Sequence, residues 1–144
     1  MKRISRRPGS RESQVYEART QSIVVRVAAS FEPEQSDPEA GEFFWVYTVE
    51  IENHGKETVQ LVSRRWVITD AQNRVQVVSG PGVVGEQPEL KAGEAFRYSS
   101  GCPLKTPSGT MQGTYQMVTH GGQTFDAEIP EFSLHLPGAG RVVN

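Results

Sequence analysis

The chain of 144 residues carries 15 Lys and Arg against 17 Asp and Glu, a formal net charge of −2, so its overall field has no strong pull on nucleic acid or on an anionic membrane. At this length one packed core is the expectation, and a second domain has no room. The lone cysteine, Cys102, excludes an intrachain disulfide, a thiolate zinc cage and a CxxC redox pair, and makes a reducing cytoplasm the natural compartment.

Residues 1–21 are rich in Arg, Ser, Gln and Glu and poor in large apolar side chains, too little to offset the entropy of ordering; they read as a flexible basic N-terminal arm. No apolar stretch follows Lys2, Arg3, Arg6, Arg7 and Arg11, and no window is long enough to span a bilayer, so neither export by such a signal nor membrane insertion is expected. From Ser22 the pattern changes to short runs of β-branched and aromatic residues punctuated by Gly, Pro, Asn and Asp, which is the signature of strands. Ser22–Phe31 alternates Ile23, Val25 and Val27 against Arg26. Glu42–Asn53 is the cleanest period-two segment, with Trp45, Tyr47, Val49 and Ile51 on one face and Thr48, Glu50 and Glu52 on the other. The turn residues Asn53-His54-Gly55-Lys56 lead into Val59–Asp70, and the two strands are expected to be neighbours.

A tight turn at Asp70–Asn73 passes the chain to Arg74–Val78, after which glycine and proline dominate to Gly93. Further strands are expected at Glu94–Ser99, Thr110–Val118, Thr124–Ile129 and Phe132–Leu136, with Gly121-Gly122 as a turn. No segment has a helical pattern. Short strands at regular spacing predict an all-β fold, an immunoglobulin or fibronectin type III-like antiparallel β-sandwich over residues 22–137 with Trp45, Trp66 and Tyr115 in its core and a tail at 138–144. An open barrel is the alternative.

Gly80-Pro81-Gly82-Val83-Val84-Gly85 fits the GxGxxG pattern of dinucleotide-binding folds. The surroundings do not: Glu86-Gln87-Pro88-Glu89 follows, where proline disfavours a helix and carboxylates repel phosphate. The plainer reading is a long connection shaped by its glycines, with Val83 and Val84 docked on the core. An intermediate reading is a nest of backbone amides that holds an anion, with charge from Arg64 or Arg65.

The ordered blocks Asn53-His54-Gly55, Leu61, Ser63-Arg64-Arg65-Trp66-Val67-Ile68-Thr69-Asp70, Gly80 through Pro88, Leu90, Gly93-Glu94, Tyr98-Ser99-Ser100-Gly101, Thr106-Pro107, Gly109-Thr110-Met111 and Gly113-Thr114-Tyr115-Gln116-Met117 closely resemble the ApaG family. The likeness covers most of residues 22–137. It implies a fibronectin type III-like sandwich, and a function defined only by associations. Bacterial members are associated with cobalt resistance and magnesium efflux, and related domains in eukaryotic F-box proteins and a polymerase-associated protein suggest protein interaction. Carried over residue by residue, the resemblance points to Gly80–Pro88 and to the strand holding Arg64 and Trp66; Arg65 stands where another basic residue often precedes the tryptophan in the family.

Other candidates are weaker. His54, His120 and His135 have no second ligand at strand or helix spacing, and the acidic stretch Glu32, Glu34, Asp37, Glu39 and Glu42 lacks a calcium loop's spacing. Cys102 and the pair Ser99-Ser100 sit in no nucleophile arrangement. No catalytic residue, metal site or cofactor is therefore expected. The expected function is a non-enzymatic protein-interaction module, with Arg64, Gly80, Pro81, Gly82, Val83, Val84, Gly85 and Glu86 contacting a protein partner and a homodimer compatible with this. The alternative is a sensor that binds a pyrophosphate-containing nucleotide or a divalent cation through the glycine-rich loop. A phosphohydrolase would need a metal cluster or placed base that the sequence does not offer, and no sequence-specific nucleic-acid binding is expected.

Overall fold

The structure is a computed structural model that describes residues 14–137. Nine strands follow in chain order: β1 (Tyr16–Thr20), β2 (Ile23–Phe31), β3 (Phe43–Asn53), β4 (Val59–Asp70), β5 (Val75–Pro81), β6 (Glu89–Leu90), β7 (Ala95–Leu104), β8 (Gly109–Thr119) and β9 (Thr124–Leu134). They form two antiparallel sheets, one in the order β1-β2-β3-β7, the other β5-β4-β8-β9 with β6 also paired to β4. This is the β-sandwich that the period-two pattern predicts.

The core lies between the sheets because each long strand turns its alternate apolar side chains inward. Trp45, Tyr47, Val49 and Ile51 of β3 are buried there together with Leu61 and Trp66 of β4 and Met111, Tyr115 and Met117 of β8. Trp66 is the hub: its indole meets Tyr47, Tyr115 and Phe132 edge-on at centroid distances of 5.2, 6.4 and 6.0 Å, the arrangement that aromatic quadrupoles favour. Trp45 donates its indole N–H to the His135 carbonyl at 3.0 Å.

Several expectations are corrected. Residues 16–20, placed in the arm, form β1 and extend the domain at its N-terminal side; Tyr16 packs on Phe132 while Glu17 and Arg19 stay at the surface. The remainder of the arm (1–13) and the tail (138–144) lie outside the described residues. β3 and β4 belong to different sheets and are not paired neighbours. The side chain of Asn53 builds the arch between them, accepting from the Gly55 amide and donating to the carbonyls of Glu57 and Leu90. The two expected C-terminal strands are one, β9, with a register shift where Pro130 and Glu131 fall; a bulge tolerates a proline that cannot donate to the ladder. β7 runs on to Leu104, since Gly101 leaves room for the Phe44 ring, and two one-turn 3-10 helices, Pro33–Gln35 and Pro38–Ala40, occupy the acidic connector.

The polar face of β3 also differs from a solvated surface. Glu50 and Glu52 are buried beside Arg26, which reaches Glu52 at 2.7 Å and Glu17 at 3.0 Å. Burial pushes the Glu52 carboxyl up, but hydrogen bonds from Arg26 and His54 outweigh it and hold the group below its ordinary range.

Truncating the hub measures the packing. Trp66→Ala is expected to cost about 3–5 kcal/mol in chemical denaturation; a midpoint close to that of the parent protein would contradict the interlock between the sheets.

Candidate functional site

The glycine-rich segment is built on an irregularity in β4. Leu61 faces Met117 and Ser63 faces Gln116, so Val62 has no partner on β8 and forms a bulge. The Val62 carbonyl is turned toward the opposite edge of β4. It accepts the Gly82 amide at 2.8 Å and the Gln87 side-chain amide at 2.9 Å. Gln60 returns a hydrogen bond to the Gln87 carbonyl at 3.0 Å, and the Leu61 amide donates to Pro88 at 3.0 Å. Both ends of the segment are thereby fastened to one strand.

Between those ends the chain makes a hairpin. Val83 and Glu86 exchange two backbone hydrogen bonds of 2.8 Å, which leaves Val84 and Gly85 as a two-residue turn with φ of 41° and 83°. Positive φ at both positions defines a type I′ turn, where Asn-Gly is the usual pair. Each glycine of the motif has its own geometric reason. Arg64 lies over Gly80, its guanidinium nitrogens 3.3 Å from where a Cβ would stand; Gly82 has φ of 61° and a Cβ there would collide with the Glu86 carbonyl; Gly85 completes the turn. The GxGxxG match is a folded hairpin and not the start of a helix.

All eight residues expected at the site are brought together, in roles that the sequence did not distinguish. Arg64 is a clamp: its Nη1 donates to the Pro81 carbonyl at 3.0 Å and to the Gly82 carbonyl at 2.8 Å. Its charge lies near the buried hydroxyls of Tyr47, Tyr98 and Tyr115, but burial dominates there and pushes all three up; Tyr98 and Tyr115 share a hydrogen bond of 2.5 Å. Val83 is buried at 1% exposure, as the sequence reading has it, whereas Val84 points away from the core at 54%. Gly80 and Pro81 end β5, while Gly85 and Glu86 are exposed. The amides of Gly82, Val83 and Glu86 and the Nη1 of Arg64 are spent within the segment, which removes them as donors for an anion nest.

Other chemistry is sparse. Cys102 is buried, and burial pushes its thiol up to about 11, far from the thiolate a nucleophile requires. Among the described residues no three His, Cys, Asp or Glu side chains group as metal ligands, and no helix is long and apolar enough to cross a membrane. A cavity of about 1230 Å³ opens at the other end of β4 between Phe31, Trp45, Asp70 and Ser133 and shares no residue with the hairpin. Several of its polar groups already have partners: Ser133 Oγ bridges Tyr16 Oη and His135 Nδ1 at 3.1 and 3.0 Å, and Asp70 accepts from Gln72 and Arg74.

If Arg64 is a clamp, Arg64→Ala should destabilise the domain by about 1–2 kcal/mol, the usual worth of such hydrogen bonds, with Arg64→Lys recovering only part of it. An unchanged denaturation midpoint for the alanine variant would exclude the role.

A family model described as ApaG domain matches residues 33–119. Protein ApaG of Caulobacter vibrioides is 65% identical over 98% of this chain and all of its own length, and Protein ApaG of Beijerinckia indica is 54% identical over 90% of this chain and all of its own length. A solved structure of a putative ApaA protein from Bordetella pertussis superposes with a TM-score of 0.78 at 50% identity, covering 80% of this chain and 94% of that one. With its sandwich, its bulge-anchored hairpin and these relatives spanning nearly the whole sequence, the chain belongs to the ApaG family.

Proposed function

We propose that the protein is a non-enzymatic interaction module that docks a protein partner at the tip of the Val83–Glu86 hairpin. The observation that carries this reading is Val84, a β-branched residue at φ 41° and 54% exposed. A β-branched side chain avoids positive φ, and holding it there costs on the order of 1–3 kcal/mol. The hairpin is nevertheless fixed from both sides, by the Val62 carbonyl and by Arg64, and anchored by the buried Val83. A strained apolar side chain presented on a rigid support suits recognition, because little flexibility is left to lose on binding.

In this reading the protein works in the reducing cytoplasm, and the association with cobalt resistance and magnesium efflux that the family resemblance implies is exerted through the partner. The alternative, a sensor for a nucleotide or divalent cation at the same loop, draws no support from the hairpin's committed amides.

Val84→Asn creates the preferred Asn-Gly pair for this turn. It is expected to raise stability by about 1 kcal/mol while abolishing capture of the partner that the parent protein retains from cell extract. Retained capture by the stabilised variant would overturn the reading. Saturable amide shifts confined to Gly80–Gly85 and Arg64 on titration with nucleotide and Mg²⁺ would replace it with the sensor.

A further inference from the structure

The edges of the two sheets are β1, β7, β5 with β6, and β9. A free edge offers unpaired backbone donors and acceptors, and proteins ordinarily blunt it with charge or proline. β1 carries Glu17 and Arg19, β7 carries Arg97 and Pro103, and β9 carries Asp126, Glu128, Pro130 and Glu131. β5 differs: Val75-Gln76-Val77-Val78-Ser79-Gly80 holds no charge and no proline before Pro81 closes it. Its Val75 and Val77 are 61% and 51% exposed.

The hydrogen-bond alternation shows what that edge presents. Asp70 donates to the Arg74 carbonyl at one end of the β4–β5 ladder, and Gly82 to the Val62 carbonyl at the other, with an unbroken register between them. Even-numbered residues of β5 therefore turn their amides and carbonyls toward β4, and Val75, Val77 and Ser79 turn theirs outward. Among the described residues no strand pairs with this edge.

We propose that the outer edge of β5 pairs with β5 of a second copy of this chain, antiparallel about a two-fold axis at Val77. The pattern is self-complementary. Val77 lies opposite Val77 of the second copy and Val75 opposite its Ser79, so three donors and three acceptors on each copy find partners and make six hydrogen bonds (three from each copy). Val67 stands beside Val77 on β4, so the outer face gains a row of four valines across the axis, two from each copy. No like charges meet: Arg74, already held by Asp70 at 2.7 Å, comes opposite Gly80. The Val84 tip lies beyond Pro81, outside the paired segment, so this inference stands apart from the proposed partner site.

Sedimentation velocity of the full chain across the micromolar to submillimolar range tests it. The parent protein should pass from monomer to a species of twice its mass. Val77→Lys and Val77→Glu, at an exposed position, should fold normally and each dimerise at least about tenfold more weakly, because like charges meet at the axis. An equimolar mixture of the two should restore a dimer, with slowed amide exchange at Val75, Val77 and Ser79. A parent protein that stays monomeric, or a dimer indifferent to Val77→Lys, would overturn the proposal. Partner capture through Val84 should be unaffected by Val77→Lys, which separates the two surfaces.

Discussion

The carbonyl of Val62 fixes the geometry on which the hairpin depends. Val62 is the extra residue in β4 opposite β8, and its oxygen takes the Gly82 amide and the Gln87 side chain together. One edge of β4 is thereby shared between β5, paired along Ser63–Thr69, and β6, paired at Val59 and Gln60, with the hairpin set between them. A bulge is a site where a strand is re-aimed, and here it converts an ordinary sheet edge into a mount for a projecting turn.

The mount explains why a glycine-rich motif can imitate a phosphate fingerprint and mean something else. In a dinucleotide fold the glycines admit a phosphate to free amides at a helix start. Here Gly80 admits the Arg64 guanidinium and Gly82 admits the Glu86 carbonyl, so the spaces are filled by the protein itself. What the turn leaves exposed is Val84, with Gly85 and Glu86 beside it.

Most of the fold was legible because its long strands bury one face: β3 reads correctly from alternation, β4 reads correctly in extent although its bulge buries Leu61 in place of Val62, and Trp45, Trp66 and Tyr115 are all in the core. β1 was hidden because Tyr16 is its one large apolar side chain and its partner surface, Phe132, lies 116 positions away (132 − 16). The relation of β3 to β4 was hidden because a short turn of residue types that tolerate positive φ serves a hairpin and an arch equally, and the choice rests on the contacts of the Asn53 side chain. At the hairpin the residues were legible as one segment, but their orientations were not. Val83 and Val84 are identical side chains one position apart, and only the φ of 41° at Val84 sends one inward and the other out.

The central claim is that the hairpin is held rigid before any partner arrives. Amide hydrogen exchange on the isolated protein tests this most directly, at Gly82, Val83 and Glu86, whose N–H groups are bonded to Val62, Glu86 and Val83. Protection of at least about a hundredfold over an unstructured chain is the result this account predicts. Exchange at these three amides as fast as in an unstructured peptide would contradict it, since a loop that opens freely would neither hold Val84 in its strained conformation nor offer a preformed surface.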